Sequence, residues 1–307
     1  MILPLNFYYH TSLPQRGYKT KLLKVQIVIF YLDQVISSLE GIYKPNLYAG
    51  NLKMSQSVPL ILEEDVEQGG KEYDDGIAGD FAYRNNVSQA TKAIRLAFIR
   101  KVYGLLTMQL LLTIVIASIC MFTPPIKEFV HSNDWMMLTT FIASIVLLIA
   151  LHIKGENRPL ISFFLPHLYI ILQTIVQAYT IGVIVTFYSQ AVVLQALLLT
   201  LIVLGGLTLY TFQTKHDFSA MHSALFSGLC ILLIGGFMQM FVQSSLFEIG
   251  ISLGGALVFS LFVIFDTQLI MKTLSPEEYI LATINLYMDI VNLFLYILRI
   301  LQAVNRQ

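Results

Sequence analysis

Between Leu160 and Thr214 the chain reads LISFFLPHLYIILQTIVQAYTIGVIVTFYSQAVVLQALLLTLIVLGGLTLYTFQT, without a single Asp, Glu, Lys or Arg. At about 1.5 Å per residue this run is too long for one helical crossing of a bilayer core of about 30 Å, and it suits two. The polar break Phe187-Tyr188-Ser189-Gln190 supplies the hinge between them. The rest of the chain agrees: it is 56% hydrophobic and only 12% charged, with a mean hydropathy of +0.70. A water-soluble chain carries about 25% charged residues, so the solvent around this one must be lipid. The formal net charge is zero. That leaves no basic face for a nucleic acid, and none is expected as a partner. Cys120 and Cys230 both lie in apolar runs and read as small buried hydrophobes.

Working outward, further apolar segments run from Tyr103 to Met121, ending before Pro124-Pro125, and from Trp135 to Ile153. Others run from Phe218 to Val242 and from Ile249 to Ile270. The last helix opens on Ser275-Pro276-Glu277-Glu278 and can continue to Ala303. There Ser caps, Pro fits the first helical position, and Glu278 returns a bond to the cap. The fold expected is an all-α integral membrane bundle of seven transmembrane helices within residues 93–307. Gly205-Gly206, Gly235-Gly236 and Gly254-Gly255 are expected where helices approach closely.

Ahead of the bundle, residues 1–53 hold one apolar run, Val25 to Leu32, too short to span. Met54 opens a Gly- and acid-rich stretch, residues 54–92, that cannot bury enough apolar area to order itself. It is expected to be a disordered cytosolic tail, with residues 1–53 an optional or mis-assigned extension. Lys92, Arg95, Arg100, Lys101, Lys154, Arg158, Lys215 and Lys272 collect on one side, leaving Lys127, Arg299 and Arg306 on the other. The positive-inside bias puts the N-terminus in the cytosol. Seven crossings would make the C-terminus luminal; a re-entrant last helix would make it cytosolic.

Two acids lie within the expected spans: Asp266 near the end of the sixth, in Ile264-Phe265-Asp266-Thr267-Gln268, and Asp289 midway along the seventh, in Leu286-Tyr287-Met288-Asp289-Ile290. A charged side chain at a helix centre costs about 2.5–3.5 kcal/mol on insertion scales, and such residues mark ion or proton paths. On the last helix Asn285, Asp289, Asn292, Tyr296 and Arg299 are spaced 4, 3, 4 and 3. At about 100° per residue they share an arc of about 80°. Lipid cannot satisfy such a stripe, so it faces the bundle interior or a water-filled cavity. Sequence-adjacent helices tend to pack as neighbours, which lets the two acids meet. Two carboxylates a few Å apart in low dielectric resist ionising together and share a proton until the pH rises. Once both are charged they suit Ca²⁺, a hard cation that takes oxygen ligands, and Asn285 and Asn292 can add amide oxygens. The bland alternative is that each Asp only bonds within the bundle, to Thr267, Asn285 or Asn292.

These residues carry a family resemblance. The segments Ile94-Arg95-Leu96-Ala97-Phe98-Ile99-Arg100-Lys101-Val102-Tyr103, Val185-Thr186-Phe187-Tyr188, Phe265-Asp266-Thr267 and Leu274-Ser275-Pro276-Glu277-Glu278-Tyr279 are similar to those of the lifeguard, or transmembrane Bax inhibitor motif, family. So is Leu286-Tyr287-Met288-Asp289-Ile290-Val291-Asn292-Leu293-Phe294-Leu295, the most specific of them. The resemblance covers roughly residues 74–306 and is nearest the Golgi anti-apoptotic branch. It implies a seven-helix fold with a central C-terminal helix, a pH-sensitive calcium leak from internal stores (Golgi or endoplasmic reticulum), and suppression of apoptosis. The family's paired aspartates map onto Asp266 and Asp289. A gating cation of bacterial relatives maps near Lys154 and Arg158. Two departures stand out: Gln177 where close relatives carry Glu, and Ser189 where they carry Asp, which weakens the expected conductance or pH response.

The reading adopted is a calcium leak channel gated by protonation of Asp266 and Asp289, with Ca²⁺ as the transported ion and no cofactor. A second is a non-conducting regulator that restrains cell death through membrane protein partners. Intramembrane aspartyl proteolysis needs a Gly-x-Gly-Asp turn, and Asp266 follows Val263-Ile264-Phe265 instead. No enzyme is expected.

Overall fold

The computed structural model describes residues 92–133, 159–218, 221–239, 241–242, 244–274 and 279–305, with isolated residues at 139, 143 and 146. Within them regular structure is entirely helical: α1 (Lys92–Phe122), α2 (Pro124–Ser132), α3 (Pro159–Val185), α4 (Gln190–Gln213), α5 (His222–Met238), α6 (Ser245–Lys272) and α7 (Tyr279–Val304). The N-terminal extension, the acidic tail up to residue 91, most of the expected Trp135–Ile153 span and the Ser275–Glu278 capping box lie outside the described residues.

Five of these helices, α1, α3, α4, α6 and α7, are long and apolar enough to cross a membrane. The chain is an integral membrane protein. Helix α5 has 17 residues, about 25 Å, and is shorter than the Phe218–Val242 segment expected. Helix α1 begins three turns earlier than the apolar run alone indicated. Phe98, Val102, Leu106, Gln109 and Thr113, three or four residues apart, form one buried stripe, and Arg100 and Lys101 beside it stay exposed. A helix needs one buried face and tolerates charge on the other. Pro124-Pro125 does more than end α1: both prolines stand in the first turn of α2, where a missing N–H costs nothing. Helix α2 then packs Val130 against Val183. His131 stacks on Phe187 (ring centroids 4.4 Å, planes 7° apart) and its Nε2 lies 3.0 Å from the Thr186 hydroxyl.

The contacts define two ends of the bundle. At the basic end Lys101 sits 3.4 Å over the Tyr279 ring at the start of α7. There too Gln268, late in α6, holds the α4–α5 connection: its amide donates to His216 O (2.8 Å) and accepts from Phe218 N (3.0 Å). At the opposite end Cys120, late in α1, meets Gly182, late in α3, and Arg299, late in α7, reaches Gln239 at the finish of α5. Helix α7 therefore runs from end to end and does not turn back. It touches α6, α4, α1 and α3, and 78% of its apolar window is buried, against 28% for α1 and 17% for α4. The last helix is the axle of the bundle; α1 and α4 turn most of their surface to lipid.

The glycine pairs differ in what they do. A methyl group on Gly255 would lie 2.1 Å from the Tyr296 ring, and one on Gly235 2.5 Å from the Ile251 side chain. Gly205 and Gly206 meet nothing. The expectation of close approach thus fails for that pair, which faces outward on α4. Gly255→Ala should push a rigid ring out of place and destabilise the bundle by about 1–3 kcal/mol. Gly205→Ala should be neutral or slightly stabilising, because Ala favours helix by up to about 1 kcal/mol. Thermal unfolding of both variants in one detergent checks the contrast.

Candidate functional site

Helix α6 carries Asp266 six residues before its last residue, Lys272, and α7 carries Asp289 ten residues after its first, Tyr279. The two helices run antiparallel, so these positions lie about 9 and 15 Å in from the basic end. The side chains meet: the Asp266 carboxyl is hydrogen-bonded to that of Asp289. Asp289 is fully enclosed and Asp266 is 7% exposed. Ionised carboxylates only accept hydrogen bonds, so a bond between two carboxyl groups requires a proton on one of them.

A polar layer lies beside the pair. The Tyr287 hydroxyl, two residues before Asp289, is 2.9 Å from the Thr113 hydroxyl of α1. Thr113 in turn donates to Gln109 O (2.8 Å). The Gln109 amide donates to Thr174 of α3 (2.9 Å), and Thr174 closes the run on Ile170 O (2.6 Å). Helices α7, α1 and α3 are thereby tied at one depth by hydroxyl and amide groups that lipid could not satisfy. On the other flank of Asp266, Thr267 faces the Tyr103 hydroxyl of α1, which also meets Thr208 of α4.

The stripe on α7 is buried but does not form one site. Asn285 is half-buried. Asn292 is enclosed; its amide nitrogen donates to Met288 O (2.9 Å). Its Oδ1 is buried without a hydrogen-bond partner among the described residues. Tyr296 lies against Gly255 and beside the Phe259 ring (centroids 5.7 Å apart). Arg299 donates to Gln239 of α5, ten residues and about 15 Å beyond Asp289. Asp289 with its neighbour Asn292 and the Tyr296–Arg299 end are separate places on one helix. Lys154 and Arg158 lie outside the described residues. Gln177 is buried within α3. Ser189 caps α4, its hydroxyl accepting from Val192 N (3.4 Å). An Asp at that position is an equally good cap, so the difference at 189 has a structural reading that involves no ion. The sequence reading passed over Thr113, Gln109, Tyr287, Gln239 and Gln268. Their signal was present: hydroxyl and amide side chains inside uncharged apolar helices, with Gln109 and Thr113 four apart on one face.

A helical bundle around a buried last helix, with two acids meeting inside it, defines a polytopic membrane protein. The family description "Inhibitor of apoptosis-promoting Bax1" matches residues 95–306, and the chain belongs to that family. It is 40% identical over 232 residues to Protein lifeguard 4 of Mus musculus, covering 75% of this chain and 95% of that protein. It is 40% identical over 231 residues to the Golgi anti-apoptotic protein of Vaccinia virus (strain Lister), with the same two coverages. With Bax inhibitor 1 of Schizosaccharomyces pombe the identity is 37% over 216 residues, 70% of this chain and 79% of that one.

The polar layer yields a direct test. Thr113→Val and Tyr287→Phe each remove one side of the α1–α7 bond. A double-mutant cycle on unfolding in detergent should return a coupling of about 0.6 kcal/mol, the mean for such intramembrane bonds. A coupling indistinguishable from zero would mean that the two hydroxyls do not interact.

Proposed function

We propose that this chain is a pH-sensitive calcium leak channel of intracellular membranes, Golgi or endoplasmic reticulum, that suppresses cell death. The hydrogen bond between Asp266 and Asp289, buried where α6 meets α7, carries the proposal. At low pH the shared proton keeps the pair bonded and closed to a cation. As pH rises the proton leaves, two adjacent negative charges repel, and a divalent cation can take the proton's place. Calcium prefers oxygen ligands. The buried Asn292 Oδ1 on the next turn of α7 is available as one more. Six to eight oxygens are the usual complement for Ca²⁺, and the remainder fall to water. That suits an ion in passage better than one held permanently. No resident cofactor, enzymatic step or nucleic acid enters this reading.

Seven crossings are proposed, with the basic end and N-terminus in the cytosol and the C-terminus opposite. Six of the spans correspond to α1 and α3–α7, and the seventh to the Trp135–Ile153 segment. The Golgi and anti-apoptotic elements of the proposal rest on what the 40%-identical viral relative is called.

A second reading is a non-conducting regulator that acts on cell-death or calcium-handling membrane proteins. Among the described residues no group of three or more His, Cys, Asp or Glu comes together, which favours it. Calcium efflux from proteoliposomes over a pH series separates the two. Under the channel reading, calcium occupancy of the wild type falls as pH falls. Asp266→Asn and Asp289→Asn should each flatten that dependence, because a single carboxylate beside an amide has no proton to share. A wild type that passes no calcium, or two variants with the unaltered pH profile, would eliminate the channel.

A further inference from the structure

Helices α1 and α4 both pack on α7. Between them a cleft of about 360 Å³ leads inward from the lipid-facing surface to α7. Its walls include Ile114 and Ser118 of α1 and Leu194 and Leu197 of α4; its floor is Ile290 and Val291 of α7. The two walls belong to the spans least covered by the rest of the protein, and the floor to the span most covered. A cleft of that size matches a small-ligand pocket, which usually measures about 300–1,000 Å³.

Polarity along the cleft is one-sided. Thr113 and Thr200 both line it, but their hydroxyls are spent on Gln109 O and Ala196 O. The other polar side chains on it are the exposed Gln190, the first residue of α4, and the half-buried Ser118, one turn before the end of α1, both toward the end of the bundle opposite the basic end. From Gln190 to Leu201 the α4 wall rises about 16 Å. One leaflet of a bilayer core of about 30 Å is about 15 Å deep. An apolar slot one leaflet deep, with its polar rim at the membrane boundary, has the dimensions of one acyl chain lying beneath its headgroup.

We infer that the α1–α4 cleft is a binding site for a single acyl chain of a bilayer phospholipid, drawn from the leaflet on the Gln190 side. A chain seated there touches Ile290 and Val291, the two residues after Asp289, and lies against the α1–α7 tie made by Thr113 and Tyr287. Occupancy would brace the central helix against α1 and α4 directly beside the acid pair. The site itself depends only on the cleft, so it stands or falls independently of calcium conduction.

The test uses the full chain reconstituted in phosphatidylcholine vesicles that contain a trace of phospholipid with a photoreactive diazirine on one acyl chain. Labelled peptides are mapped, and unlabelled lipid is titrated in. A site predicts labelling concentrated on residues 110–122, 190–201 and 290–294, and saturable as the probe fraction rises. Leu197→Trp and Ser118→Phe, which fill the slot, should lower that labelling at least fivefold. Val115→Trp, on the lipid-facing side of α1 outside the cleft, should leave it unchanged. Labelling that is non-saturable and spread evenly over the outer faces of α1 and α4 would show annular lipid only and overturn the proposal. Saturation is read on the wild type alone, so a filling variant that fails to fold does not remove the test.

Discussion

Where α6 crosses α7, two carboxyl groups meet among buried side chains inside an apolar bundle. A bilayer core offers no hydrogen bonds, so an acid carried into it must find its partner inside the protein. Asp266 and Asp289 find each other. The helices that carry them have to be adjacent, antiparallel and in a single register for this to occur. The surrounding packing serves that register: Gly255 lets Tyr296 sit flush on α6, and Phe259 closes against the same ring. Small residues at the crossing admit close backbone approach, and close approach lets two short acidic side chains touch.

The same constraint explains why α7 is enclosed on nearly every side. It carries Asp289, Asn292, Tyr296 and Arg299; α6, α4, α1 and α3 pack around it, and Gln239 at the end of α5 meets Arg299. Helices α1 and α4, whose outer faces are apolar, can stay at the periphery. The polar layer through Tyr287, Thr113, Gln109 and Thr174 repeats the logic at a second contact. Here the partners are neutral hydroxyls and amides that fix geometry.

Differences from the family pattern fall outside that contact. Ser189 keeps the helix-capping task that an Asp would also perform. Gln177 is buried and retains hydrogen-bonding capacity without charge.

The sequence by itself determined the membrane setting, the helical class and the identity of the two buried acids. Each follows from a local quantity: the length of an uncharged run, or the cost of one charge in an apolar segment. The α7 stripe was legible too, because its spacing repeats with the helical turn. What lies opposite each stripe residue was not legible. Asp289 and Tyr296 both turn to α6, while Arg299 turns to the end of α5, since periodicity defines a face but carries no information about what packs on it. For the same reason the outward Gly205-Gly206 pair could not be told from the inward Gly255, nor α2 recognised behind two prolines that also end a span. Only the tertiary structure decided those, because they depend on which helix comes to rest against which.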